Sequence, residues 1–150
     1  MTNLDQECGR HAAERILDTR FPNFSDDAKN ALKNYRSVVM GAGSYIRQAG
    51  LLQLAAFWLS KREVEHQVLE DALLWLRRSQ VTQGVCNQRD GLPTGAEPAS
   101  LQWLLGCSAQ EIALLEAEAE AYLGWLKRVV EGLWKEWAQQ EPHEENDGAA

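Results

Sequence analysis

The sequence predicts an all-α protein, a compact single-domain helical bundle of about six helices. Three observations lead there. Apolar residues recur at spacings of three and four along nearly every segment, the signature of helices with one buried face. Polar capping residues stand ahead of several of those segments. No stretch alternates apolar and polar residues with period two, as a half-buried strand would.

Asn3-Leu4-Asp5-Gln6 fits a capping box, and Leu4, Cys8, Ala12 and Ile16 follow at helical spacing to about Arg20. Phe21–Phe24, with Pro22, interrupts the pattern. Ser25 then opens a second helix, with Asp26 and Asp27 against the positive end of its macrodipole. Its core stripe is Leu32, Tyr35, Val39, Ala42, Ile46 and Ala49, and Gly50 is the natural stop. Leu51–Leu59 is apolar almost all round, as in a short helix enclosed by others. Ser60-Lys61-Arg62-Glu63 reads as another capping box, opening a helix to Ser79 with Val64, Val68, Ala72, Trp75 and Leu76 inward. Gln80–Pro98 holds three glycines and two prolines without periodicity, and is predicted to be a loop of the length that tends to be functional or mobile. A short helix covers Ala99–Leu105. Ser108-Ala109-Gln110-Glu111 caps the longest pattern, whose seam is Ile112, Leu115, Ala119, Tyr122, Leu126, Val129 and Leu133. The bundle domain is assigned to 1–140, and 141–150, with four acids, to a disordered acidic tail.

Charge is distributed unevenly. The chain carries a net −7, yet no acid lies between Asp27 and Glu63, where six cations do. Residues 1–62 hold 9 Lys/Arg against 6 Asp/Glu, or +3; residues 63–150 hold 6 against 16, or −10. Such asymmetry points to a polyanion on one side of the molecule, with a merely solvated basic face as the plain alternative. Lys29, Lys33, Arg36 and Arg47 fall within about 60° on one helix and span about 27 Å, enough to follow a nucleic-acid backbone. Gly41 and Gly43 interrupt that helix at about 1 kcal/mol each relative to Ala. They imply a kink, a tight helix crossing, or close approach by a partner. If Ser60 caps a helix, Lys61 and Arg62 occupy its first turn, where a bound phosphate would offset their unfavourable position.

Catalytic and metal signatures are missing from the pattern. Glu7/His11 and His66/Glu70 share helical spacing, but two ligands do not make a metal site, and surface hydrogen bonds are the simpler reading. No nucleophile elbow, metalloprotease, phosphate-loop or dinucleotide motif occurs. Cys86 has no neighbour in sequence that would lower its pKa. The three cysteines are odd in number and widely spaced, which suggests unpaired thiols in a reducing compartment. No signal peptide is read at the N-terminus, and the longest apolar run is about half a membrane span. The expectation is a cytoplasmic protein that is not an enzyme and has no cofactor, metal, membrane or small-molecule substrate. Trp58 and Trp75 are placed in the core. Trp134 and Trp137 lie among charged residues, and an exposed pair there would serve a protein partner.

Three segments carry a family resemblance. They are Gly9-Arg10-His11-Ala12-Ala13, the stretch Ile46–Lys61 within Tyr35–Lys61, and Tyr122–Arg128 followed by Val129–Leu133. Together they resemble the small helical subunit of type III-B CRISPR effector complexes, the Cmr complexes. That resemblance implies a non-catalytic subunit that stacks with copies of itself inside a ribonucleoprotein filament. Its partners would be the other Cmr effector subunits, backbone and large, and a guide RNA–target RNA duplex, in antiviral defence. Carried over by position, the implied RNA contacts are Arg47, Lys61, Lys127 and Arg128, with Lys33 and Arg36 beside them; Arg62 joins through the helix-junction argument. The 80–98 loop and the acidic tail depart from the family pattern. A helical protein–protein adaptor with no direct RNA contact is the alternative, and a helix-turn-helix DNA regulator a more distant one, since no short helix pair presents a basic recognition helix.

Overall fold

The computed structural model describes residues 3–140, and the predicted tail lies outside them. Seven helices follow one another: α1 (Leu4–Glu14), α2 (Asp26–Ala49), α3 (Leu51–Leu59), α4 (Val64–Arg78), α5 (Gln83–Cys86), α6 (Pro98–Leu105) and α7 (Ala109–Ala138). α1 runs on without a break into a π-helical stretch, Arg15–Arg20. The described residues contain no strand, and the all-α bundle is as the sequence predicts. Only the four-residue α5 is additional. It forms inside the predicted loop, where Thr82 Oγ1 donates to Leu76 O at 2.5 Å and Cys86 and Leu92 are buried.

The caps explain most boundaries. Asn3 Oδ1 accepts from Asp5 N, and Ser25 Oγ from Ala28 N. Ser108 and Glu111 form a reciprocal capping box, each side chain accepting from the other's backbone N–H. Gly50 separates α2 from α3 at φ 89°, where a Cβ would stand 2.8 Å from Glu116 Oε1. That same carboxylate oxygen accepts from Leu51 N at 2.7 Å, placing an anion at the start of α3.

The Ser60 capping box does not form. Ser60 is instead the C-cap of α3, and its hydroxyl donates to Phe57 O at 2.6 Å. Glu63 then adopts φ 54°, and α4 begins only at Val64. Lys61 and Arg62 therefore lie in the turn between the C-cap of α3 and the N-cap of α4, outside the first turn of the helix that follows.

α7 is the spine, and its most extensive contacts are with α2 and then α1. α2 runs antiparallel to it, since Arg36 pairs with Glu131 and Arg47 with Glu120. The predicted stripe of α2 is buried at Leu32, Tyr35, Val39, Ala42 and Ile46, with Ala49 half-buried. On α7 the seam is buried at Leu115, Ala119, Tyr122, Leu126 and Leu133, while Ile112 and Val129 are half-buried. Trp58 and Trp75 are in the core as expected.

Inside the bundle lies a polar cluster whose members come from three separate elements. Asp71 of α4 is fully buried and accepts from Arg20 Nε at 3.1 Å, Arg20 Nη2 at 3.0 Å and Tyr35 Oη at 2.6 Å; Arg15 Nε is a further donor. Both arginines come from the π-helical stretch, so widening the helix there goes with turning two cations onto one carboxylate.

Candidate nucleic-acid interface

A groove of about 970 Å³ runs between α2 and α7. Arg47 lines it from α2; Lys127, Arg128 and Lys135 line it from α7. Three predicted contact residues, distant in sequence, are thus brought to one surface. Lys135 was missed, although it lies two turns beyond Lys127 and Arg128 on the same face, a spacing readable from the sequence.

Three acids share the groove, and each is engaged. Asp5 Oδ1 accepts from Trp125 Nε1 at 2.9 Å, Glu120 pairs with Arg47 at 3.6 Å, and Glu131 pairs with Arg36. Arg36 is therefore tied across the α2–α7 seam, and its guanidinium also lies 5.7 Å from the Trp134 ring. Arg128 lies 5.9 Å from the Trp125 ring. Exposed ion pairs of this kind contribute about 0–1 kcal/mol, so Arg47 loses little on exchanging Glu120 for a phosphate.

The groove has unusually bare walls. A Cβ added at Gly132 would meet nothing within 4 Å; at Gly43 or Gly124 it would meet only the tip of Arg47 or Arg128. α2 continues through Gly41 and Gly43, and no helix crosses tightly there. Gly9 is the contrasting case. A Cβ there would stand 3.0 Å from three atoms of the Trp125 ring, so this glycine seats α1 on α7.

The other candidates are dispersed. Lys33 is exposed on α2. Lys61 and Arg62 are exposed in the α3–α4 turn, apart from the groove, and Lys61 Nζ lies 5.2 Å from the Phe57 ring centroid. The exposed Trp134–Trp137 pair does not exist. Trp137 is only 4% exposed, edge-on to Phe21 and Phe24, and Trp134 is half-buried. Trp137 follows Leu133 by four and extends the α7 seam into the core.

His11, His66 and the buried cysteines lie outside the groove, packed or hydrogen-bonded within the bundle. His11 does not face Glu7 at the surface. It is buried, with Nδ1 3.1 Å from Tyr122 Oη and its ring tilted against both members of the stacked Trp75–Tyr122 pair. Burial, then Arg78 and Arg15, pushes its pKa down to about 4. His66 Nε2 lies 3.3 Å from Leu59 O, and Glu70 lies 3.7 Å from Arg20. Cys86 is fully buried, and burial pushes its thiol up to about 11; Cys8 is pushed up to about 12. Among the described residues no cluster of three His, Cys, Asp or Glu could hold a metal, and no helix is long and apolar enough to cross a membrane.

No curated protein and no solved structure matches the chain. The profile of one family does, over residues 4–133, which takes in α1 through most of α7 and both walls of the groove. By that match the chain belongs to the CRISPR-associated protein (Cas_Cmr5) family, and is a CRISPR-associated Cmr subunit.

Proposed function

We propose that this protein is a non-catalytic structural subunit of a type III-B ribonucleoprotein effector complex, and that its α2–α7 groove faces the guide–target RNA duplex. One observation carries the reading. Arg47, Lys127, Arg128 and Lys135 converge on a single open groove whose glycines leave the backbone accessible. A-form RNA presents its phosphates and 2′-hydroxyls, and proteins recognise it by shape and charge along the backbone. Cations along an open groove suit that task, and the net −7 of the whole chain keeps the isolated protein a weak binder. Assembly with the other Cmr subunits supplies the affinity, and the groove supplies local contacts.

The test is binding of target RNA by the assembled complex carrying Arg47→Ala, Lys127→Ala and Arg128→Ala together. If each cation meets a phosphate, the slope of log affinity against log salt falls by about 0.9 per contact, or nearly 3 in all. An unchanged slope with intact assembly would leave the groove as a solvated surface. A complex that keeps this subunit after RNA digestion, and binds RNA equally well with or without the substitutions, would instead fit the adaptor reading.

A further inference from the structure

A second surface lies away from the groove, where α2, α3 and α4 meet. Tyr45 and Phe57 stack there with ring centroids 5.2 Å apart and planes within 12°. Phe57 is 40% exposed although it belongs to the most apolar helix of the chain. Lys61 Nζ stands 5.2 Å from the Phe57 centroid, and Arg62 follows in the same turn. The rings border a hollow of about 370 Å³ with an apolar floor including Val38 and Trp58, and with Ser37 and Glu65 as polar lining. The α2–α7 seam does not account for these features, and the Ser60 capping geometry that would have given Lys61 and Arg62 a helix-terminal role is not formed.

We infer that Phe57, backed by Tyr45 and with Lys61 over its ring, is a stacking platform for one unpaired RNA base, with Lys61 and the adjacent Arg62 of the same turn holding the adjoining phosphates. This rests on the reading of the protein as an RNA-facing subunit. Three observations favour a nucleotide as the occupant. A part-exposed aromatic ring with an ammonium over it matches a base and its phosphate, whereas a purely apolar partner would leave Lys61 and Arg62 unmatched. The Lys61 side chain is long and exposed, so it can swing from the ring to a phosphate as the base arrives. Both cations lie within the acid-free window, and Glu65, which lines the hollow, adds a carboxylate of the kind that accepts from an exocyclic amine. A paired base hides its faces inside the duplex, so only an unstacked nucleotide can use the platform. Stacking of this kind is tolerant of sequence because every base has a π-face.

The test uses the full chain at low salt with a single-stranded RNA containing 2-aminopurine, and an RNA duplex without overhangs as comparison. Stacking on Phe57 quenches the 2-aminopurine. Phe57→Ala abolishes the quench and weakens single-strand binding on the order of tenfold, with the salt slope unchanged. Phe57→Trp restores both. Lys61→Ala keeps the quench and lowers the slope by about 0.7. Thermal melts of each variant report that the fold is intact. Duplex binding without any 2-aminopurine quench, or failure of the parent to bind the single strand at low salt, would overturn the platform; the groove reading stands or falls separately, on RNA binding by the assembled complex. Loss of other Cmr subunits from the Phe57→Ala complex, with RNA binding unaltered, would overturn the proposal in favour of a protein contact.

Discussion

Replacing Asp71 with Ala tests whether the buried polar cluster holds the N-terminal helix to the bundle. The substitution removes the acceptor of two guanidinium groups, whose side chains are 23% and 16% exposed, and of the Tyr35 hydroxyl. Breaking a buried ion pair from one side costs about 3–5 kcal/mol, because the stranded charge is worse than no pair. Arg20 keeps Gln67 O at 3.2 Å and Glu70 at 3.7 Å, and Arg15 reaches water, so about 4 kcal/mol is the expected loss. At about 3 °C per kcal/mol for a domain of this size, the melting midpoint falls by roughly 12 °C. Asp71→Asn keeps an acceptor for Tyr35 and loses the charge, so about half that shift is expected. Circular dichroism melts measure both. Tyr35→Phe supplies the internal control: about 1 kcal/mol in the parent and much less in the Asp71→Ala background, as residues sharing a network require. An Asp71→Ala midpoint within 3 °C of the parent, or a Tyr35→Phe cost equal in both backgrounds, would refute the reasoning.

Other substitutions follow from the same geometry. Gly132→Ala meets no atom within 4 Å, so it stabilises α7 by about 1 kcal/mol, seen as a higher melting midpoint. Gly9→Ala drives a methyl into the Trp125 ring and destabilises by about 1–3 kcal/mol, seen as a lower one. His11 gives a pH signature. Its folded pKa of about 4 lies below the ordinary 6.5, so the unfolded chain binds the extra proton, and its contribution is complete above pH 6.5 and lost as pH falls toward 4. At pH 5 the loss is about 2 kcal/mol, and His11→Gln flattens that part of a denaturation series run from pH 7 to pH 5.

Most of the fold is legible in local pattern. Ser25, Ser108 and Glu111 cap where the sequence places them, and the stripe of α2 is buried as spaced. Local reading fails where one side chain has two possible uses. The Ser60 hydroxyl could cap the next helix or serve the last turn of the previous one, and the left-handed Glu63 decides for the latter. The charged neighbours of Trp137 suggest exposure, whereas its register four residues after Leu133 places it in the core. Asp71 shares the buried face of Val68 and Trp75, so its burial was written in the periodicity; its partners, 36 to 56 residues away, were not. The groove shows the same division. The charged face of α2 and the α7 cations are each visible in sequence, but their meeting depends on antiparallel packing that only the structure displays.

The central claim is that the α2–α7 groove faces RNA in the assembled complex. Its most direct test is site-specific photocrosslinking, with a benzoylphenylalanine replacing Gly132 in the groove and, as comparison, Gly84 beyond it, both positions having open space for the new side chain. The account predicts that the Gly132 probe crosslinks to guide or target RNA and the Gly84 probe does not. Crosslinks from Gly132 to protein subunits alone, with target RNA bound, would contradict it.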